Sequence, residues 1–127
     1  MSYVLEQFPE EFVILVTCGQ DFHLAQELDS MVADILLRST AGSRSSYLII
    51  DMRGVSFGFD SVIATANRAR SDKDSVFHHP TIEQVIFVTD SRLMELSARG
   101  LNTEMFGHIS VPVFHSLEEA RSYVRQR

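Results

Sequence analysis

The fold is decided by residues 47–71, YLIIDMRGVSFGFDSVIATANRARS. The apolar run Tyr47–Ile50 has the character of a strand and ends in Asp51, a turn with two glycines follows, and a helical spacing of apolar residues begins at Asp60. Open α/β sheets place their binding surfaces in polar loops at the carboxyl ends of strands. The stretch therefore predicts a strand–loop–helix junction whose loop is the candidate functional surface.

The rest of the chain alternates strand and helix patterns around this junction. The further predicted elements are strands at 3–8, 12–18, 82–89 and 111–114, and helices at 22–38, after Asp90 and from Ser116 to about Val124. The resulting order, β-β-α-β-α-β-α-β-α, predicts an α/β fold with a mixed, mostly parallel five-stranded sheet and about four helices. The one antiparallel strand comes from the opening hairpin. We expect a single domain over residues 1–127.

Four local features refine this prediction. The second strand, FVILVTC, is almost wholly apolar, which is typical of a strand covered on both faces. Pro112 lacks the amide that a central strand must donate, so the last strand belongs at a sheet edge. Ser116 and Glu119 have the spacing of a capping box that starts the final helix. Gly100 makes the continuity of the preceding helix doubtful.

Composition excludes several classes of function. A formal net charge of −6 opposes a general electrostatic grip on nucleic acid or anionic lipid. Cys18 is the single cysteine, so an internal disulfide is excluded and a reducing cytoplasm is favoured. Because it ends an apolar strand, we expect it to be a small buried side chain. The chain shows neither a secretory signal pattern nor an apolar run long enough to span a bilayer, so we expect no integral membrane segment.

The order of elements and the junction resemble a STAS domain, the fold of bacterial anti-sigma-factor antagonists. Residues 51–61, DMRGVSFGFDS, stand where such proteins carry a motif of the type DLSGVSFMDSSG. Aligned without a gap, Ser61 falls on the serine that the anti-sigma kinase phosphorylates in that family. Two residues depart from the pattern, because Asp60 replaces a frequent serine and Val62 replaces the following glycine. The second half of the chain, residues 82–126, is more similar to the divergent, uncharacterised SpoIIAA-like branch.

This resemblance implies a non-catalytic regulatory module that docks a protein partner, such as an anti-sigma-type kinase or another regulator, around residues 56–63. Phosphorylation of Ser61 is the implied control, since a helix start favours negative charge. The alternative function is binding of a small anion or an acyl chain in the same loop–helix pocket. Candidate partner- or ligand-binding residues are Ser56, Phe57, Gly58, Phe59, Asp60, Ser61 and Arg68. A plainer interpretation also stays open, in which Asp60 only caps the helix.

Enzymatic and metal-dependent functions find little support in the residues. A response-regulator receiver also has an aspartate at the end of a central strand, but it needs an acidic pair after its first strand and a lysine after its last. Here those places hold Cys18–Gln20 and His115–Ser116. The adjacent histidines at 78–79 have no third ligand at a usual spacing, and no phosphate-binding glycine motif occurs. We expect no cofactor and no metal. A third alternative function is a self-associating structural domain, such as a homodimer, that uses the Pro112 edge or the 71–81 loop.

Overall fold

The computed structural model describes residues 2–40, 45–55, 80–101 and 110–126. Its strands are β1 (Tyr3–Phe8), β2 (Val13–Cys18), β3 (Ser46–Asp51), β4 (Ile82–Val88) and β5 (Val113–Phe114), and its helices are α1 (Leu24–Thr40), α2 (Arg92–Leu101) and α3 (Leu117–Arg125). The helix predicted to begin at Asp60 lies outside the described residues, so the structure gives three of the expected helices. The predicted element order agrees with every described element.

The five strands form one mixed sheet in the order β1-β2-β3-β4-β5. β1 pairs antiparallel with β2, and each following pair is parallel. This confirms the predicted α/β class with a single antiparallel strand from the opening hairpin. β5 lies at the edge, where Pro112 accepts a hydrogen bond from the Phe87 amide at 3.0 Å through its carbonyl group. The edge position that Pro112 predicts for the last strand is therefore confirmed. Pro112 contributes a carbonyl acceptor to this contact and needs no amide donor.

Both faces of the sheet are covered, each by different helices. Side chains alternate along a strand, so β2 sends Ile14 and Val16 to the face that packs against α1 and α2. Val13 and Leu15 point to the opposite face, where α3 contributes its buried residues Ala120 and Val124. This two-sided burial explains why the sequence of β2 is nearly continuous in apolar residues. Only Thr17 of that strand is exposed.

Helix and strand ends follow local chemistry. Ser116 caps α3 by accepting the Glu119 amide at 3.1 Å, as the capping-box spacing predicts. Ser91 caps α2 through the Met94 amide at 3.2 Å, and that helix continues through Gly100 to Leu101. Phe12 was predicted to begin β2, but its φ of 56° belongs to the hairpin turn, so the strand begins at Val13.

Polar contacts connect the opening hairpin to the last helix. Glu11 accepts hydrogen bonds from Arg121 at 2.5 Å and from Arg125 at 3.2 Å. The bond from Arg121, with a smaller contribution from Arg125, lowers the pKa of Glu11. The Arg121 guanidinium also lies 4.6 Å from the centre of the Phe8 ring, in a cation–π arrangement. These contacts hold α3 across the amino-terminal side of the sheet.

Candidate functional site

Four loops meet at the end of the sheet where the parallel strands β2 to β5 terminate. We call this surface the carboxyl edge and define it, among the described residues, as 18–21, 51–55, 89–91 and 115–116. The junction predicted to be functional leaves β3 at this edge. Such an edge is the usual position of binding sites in open α/β sheets.

An ion pair between Asp51 and Arg53 forms the root of the junction. Asp51, the last residue of β3, is only 4% exposed. Its Oδ1 accepts the Arg53 Nε at 3.0 Å and the Arg53 amide at 3.2 Å, while its Oδ2 accepts a terminal guanidinium nitrogen at 2.8 Å. These bonds raise the pKa of Arg53, and the charge of Asp90 acts in the same direction. A buried carboxylate is therefore neutralised by a guanidinium whose side chain stays 42% exposed.

The chain beyond this pair is anchored to the core as far as Val55. The Met52 amide donates to the Val88 carbonyl group at 2.8 Å, and the Val55 amide donates to the Met52 carbonyl group at 3.1 Å. Both side chains are buried in the cluster beneath α1 and α2. The turn 52–55 thus has a fixed path, so the following segment starts from a defined place on the carboxyl edge.

Thr89 joins β4 to its neighbours at the same edge. Its side chain is fully buried, and its Oγ1 accepts the Ser91 amide at 3.0 Å, which positions the cap of α2. Its own amide donates to the Phe114 carbonyl group at 3.0 Å. The Nδ1 of the exposed His115 lies 3.2 Å from the Thr89 carbonyl oxygen. Because a carbonyl oxygen can only accept a hydrogen bond, the Nδ1 of His115 carries the hydrogen of this bond.

The loop after β2 is closely packed. The Gly19 amide donates to the Ser2 carbonyl group at 2.7 Å, and a Cβ at Gly19 would lie 3.0 Å from Asp21 Oδ1 and 3.3 Å from Ser2 O. Both distances are shorter than an ordinary van der Waals contact, so a side chain at Gly19 would require Asp21 and Ser2 to give way slightly. Gln20 reaches across to β3, since its Cγ would lie 3.8 Å from a Cβ at Gly54. The first two loops of the edge, 18–21 and 51–55, therefore lie close together.

Cys18 is held as a buried thiol, as the sequence predicts. It is 4% exposed, and burial raises its pKa to about 12, with smaller contributions from the charges of Asp51 and Glu27. A thiol with such a pKa forms almost no thiolate near neutral pH, so it is a poor nucleophile and a poor metal ligand. Its role is packing beneath α1.

Acidic residues flank the carboxyl edge because the three described helices begin next to it. Glu27, Glu95, Glu118 and Glu119 lie in their first turns, and Arg38, Arg99 and Arg125 lie in their last turns. This distribution complements the helix dipoles. It also makes the edge a poor surface for nucleic acid or anionic lipid.

The predicted site residues Ser56, Phe57, Gly58, Phe59, Asp60, Ser61 and Arg68 lie outside the described residues. Their roles stay predictions. The structure adds Arg53, Thr89 and His115, to which the sequence argument assigned no role at the site. Arg53 had a detectable signal, since an aspartate readily accepts the amide two residues further along a turn, which brings an arginine at that position close to its carboxylate. The contacts of Thr89 and His115 cross between strands and have no local signal.

Within 2–40, 45–55, 80–101 and 110–126, no group of three or more His, Cys, Asp or Glu side chains is placed to hold a metal ion. None of the helices in that part of the chain is both long and apolar enough to cross a membrane.

Comparison with known proteins supports the fold. No family model and no curated protein matches the sequence. Among solved structures, the chain is similar to an uncharacterised protein of the DUF3478 family with a SpoIIAA-like fold from Shewanella loihica PV-4. The TM-score is 0.55 at 12% sequence identity, over 96% of this chain and 91% of that chain. At this identity the likeness establishes the fold, so this chain has a SpoIIAA-like fold and the resemblance to the divergent branch is confirmed at that level.

Proposed function

We propose that this SpoIIAA-like chain is a non-catalytic regulatory module that docks a protein partner at the carboxyl edge. The docking element is the loop and helix start around residues 56–63, and phosphorylation of Ser61 controls it. A reducing cytoplasm is the compartment that we propose, because the single cysteine, Cys18, allows no internal disulfide. The proposal rests on the fold and on the position of the junction within it.

The observation that carries the proposal is the fixed root of the junction. Asp51 is buried and neutralised by Arg53, and Val55 is packed in the core. A loop whose base is held in one place can present side chains to a partner without a large loss of conformational entropy on binding. Rigid support beneath a variable loop is a common arrangement for recognition surfaces.

The proposed control follows from charge. A phosphate on Ser61 adds a charge of about −1.5 to −2 near neutral pH. The described carboxyl edge already carries Asp21, Asp51 and Asp90 against Arg53. A further negative group there changes the electrostatic match to any partner that has adapted to the unmodified surface. Phosphorylation therefore switches affinity, with a direction set by the charge of the partner.

Binding assays with Ser61 variants test the proposal. Wild type, Ser61→Ala and Ser61→Asp are immobilised and exposed to a lysate of the cells that naturally produce the protein, and bound proteins are quantified by mass spectrometry. Ser110→Asp is the matched control, since Ser110 is exposed and precedes β5, away from the carboxyl edge. We expect at least one partner whose recovery changes only with Ser61→Asp. Equal recovery by all four proteins contradicts the proposal.

Native mass spectrometry distinguishes the alternative function. A carrier of a small anion or acyl chain retains cargo through gentle purification, so it shows a mass above that of the polypeptide. A regulatory module gives the mass of the polypeptide, with an increment of one phosphate if Ser61 is modified. Retained cargo that Ser61→Asp releases would favour the carrier function over the docking function.

A further inference from the structure

The outer edge of β1 is a strand edge with hydrogen-bonding capacity. β1 pairs with β2 alone within the described part of the chain. The Gly19 amide donates to the Ser2 carbonyl group at 2.7 Å, so residues 2 and 19 form a hydrogen-bonded pair of this antiparallel ladder. Such pairs alternate, which directs the amide and carbonyl groups of Tyr3, Leu5 and Gln7 away from β2.

We infer that the occupant of this edge is a second copy of the chain, which adds its own β1 in antiparallel orientation. A two-fold axis at Leu5 pairs Leu5 with itself and Tyr3 with the Gln7 of the other copy. Tyr3, Leu5 and Gln7 all direct their backbone groups outward, so the edge is complementary to itself. A two-fold contact of this kind closes on two copies and does not propagate. The two five-stranded sheets become one continuous sheet.

Helix α1 lies along the same edge and in register with it. Ser2 Oγ donates to Glu27, Tyr3 Oη donates to Asp34 Oδ2 at 2.5 Å, and Gln7 Nε2 donates to the Arg38 carbonyl group at 3.4 Å. The helix rises about 16 Å from residue 27 to residue 38. The strand advances about 17 Å from residue 2 to residue 7. The two elements therefore run side by side, and joining two β1 strands brings the two α1 helices together.

Charge complementarity between the helices favours a second copy. The pairing places Gln7 opposite Tyr3 of the other copy, and these residues contact Arg38 and Asp34 respectively. Gln7 bonds the backbone carbonyl group of Arg38 and Tyr3 bonds the carboxylate of Asp34, so the pairing brings the turn of α1 that carries Arg38 towards the turn that carries Asp34 in the other copy, twice by symmetry. Leu37, beside Arg38, is 71% exposed, the largest exposure of any large apolar side chain among the described residues. On the other sheet face the pairing sets Val4, which is 54% exposed, against Glu6 of the other copy.

Sedimentation equilibrium and light scattering across a concentration series test this inference. We expect a monomer–dimer equilibrium. Gln7→Pro removes an outward amide that no bond within β1 and β2 uses, so it should weaken dimerisation at least about tenfold without unfolding the chain. Gln7→Ala is the matched control, because it removes the same side-chain bond and keeps the amide. Arg38→Asp should weaken the dimer about tenfold, through two lost ion pairs and two new repulsions. Arg99→Asp, in the last turn of α2, is its control.

Residue-resolved hydrogen exchange provides a second measurement that does not depend on variants. Exchange of the Tyr3, Leu5 and Gln7 amides should slow as protein concentration rises, while the amides of Val4 and Glu6 stay protected throughout. A protein that is monomeric up to its solubility limit overturns the inference. So does a dimer in which those three amides exchange at the monomer rate, because its contact lies elsewhere.

Discussion

Removal of the Arg53 side chain is the sharpest test of how the carboxyl edge is built. Arg53→Ala takes two donors from the Asp51 carboxylate, at 3.0 and 2.8 Å, and leaves only the backbone amide at 3.2 Å. Hydrogen bonds to a charged group contribute about 1.5–3 kcal/mol, and breaking a fully buried ion pair costs about 3–5 kcal/mol. The Asp51 side chain is 6% exposed, but that of Arg53 is 42% exposed, so water replaces part of the loss.

The expected cost for Arg53→Ala is therefore about 2 kcal/mol of unfolding free energy. With a urea m-value of about 2 kcal/mol/M, the midpoint falls by about 1 M. Circular dichroism during urea unfolding measures this shift. Arg92→Ala is the matched control, because Arg92 approaches Glu95 only to 3.9 Å and its side chain is 72% exposed. That variant should change stability by no more than about 0.5 kcal/mol.

The comparison of the two variants decides the question. If they unfold at the same urea concentration, the Asp51 carboxylate does not depend on Arg53, and the junction has no fixed root of the kind described. A double variant, Asp51→Asn with Arg53→Ala, adds a further check. It should lose less than the sum of the two single changes, because the buried charge is removed together with its partner.

Four further predictions concern other parts of the molecule. Cys18 should react with a thiol reagent only on unfolding, because burial raises its pKa to about 12; rapid labelling of the native protein would contradict this. Ser116→Ala should cost about 1 kcal/mol by loss of the α3 cap, whereas Ser116→Asp should be nearly neutral, as measured by thermal unfolding. Hydrogen bonds from Arg121 and Arg125 lower the pKa of Glu11 below its ordinary value of 4.5. The difference in unfolding free energy between wild type and Glu11→Gln should therefore be present above pH 4.5 and disappear as the pH falls further. A difference that does not change with pH would exclude this linkage. Ile86→Ala should cost about 2–5 kcal/mol through a cavity beneath α3, against a change within about 0.5 kcal/mol for the exposed Leu96→Ala.

Much of the fold could be predicted because its signals are local. The apolar run of β2 indicates burial on two faces, and Pro112, which lacks an amide donor, indicates a sheet edge. Ser116 and Glu119 indicate the cap of a helix. Each signal lies within a few residues. Boundaries were less accurate, as α1 begins at Leu24 and not at residue 22. The start of β2 moved because a hairpin turn requires the left-handed backbone of Phe12, which a preference for strand cannot reveal.

The position of the candidate site could also be predicted from a local signal, but the contacts within it could not. The sequence predicted a functional junction after β3, and the structure places the end of that strand at the carboxyl edge. The arrangement around it depends on contacts between segments distant in the chain. Thr89 bonds Phe114 and His115 because β4 and β5 are neighbours, and Gln20 reaches Gly54 because β2 and β3 are neighbours.

The amino-acid sequence by itself determined the α/β class, the order of the described elements, the buried character of β2 and the edge position of the last strand. Each follows from periodicity or from the bonding capacity of single residues. Only the tertiary structure decided that Arg53 neutralises a buried Asp51, that α1 lies in register with β1, and that Glu11 ties the hairpin to α3. Those pairings form where the packing of the whole sheet removes water around side chains that happen to meet. No short stretch of sequence contains that information.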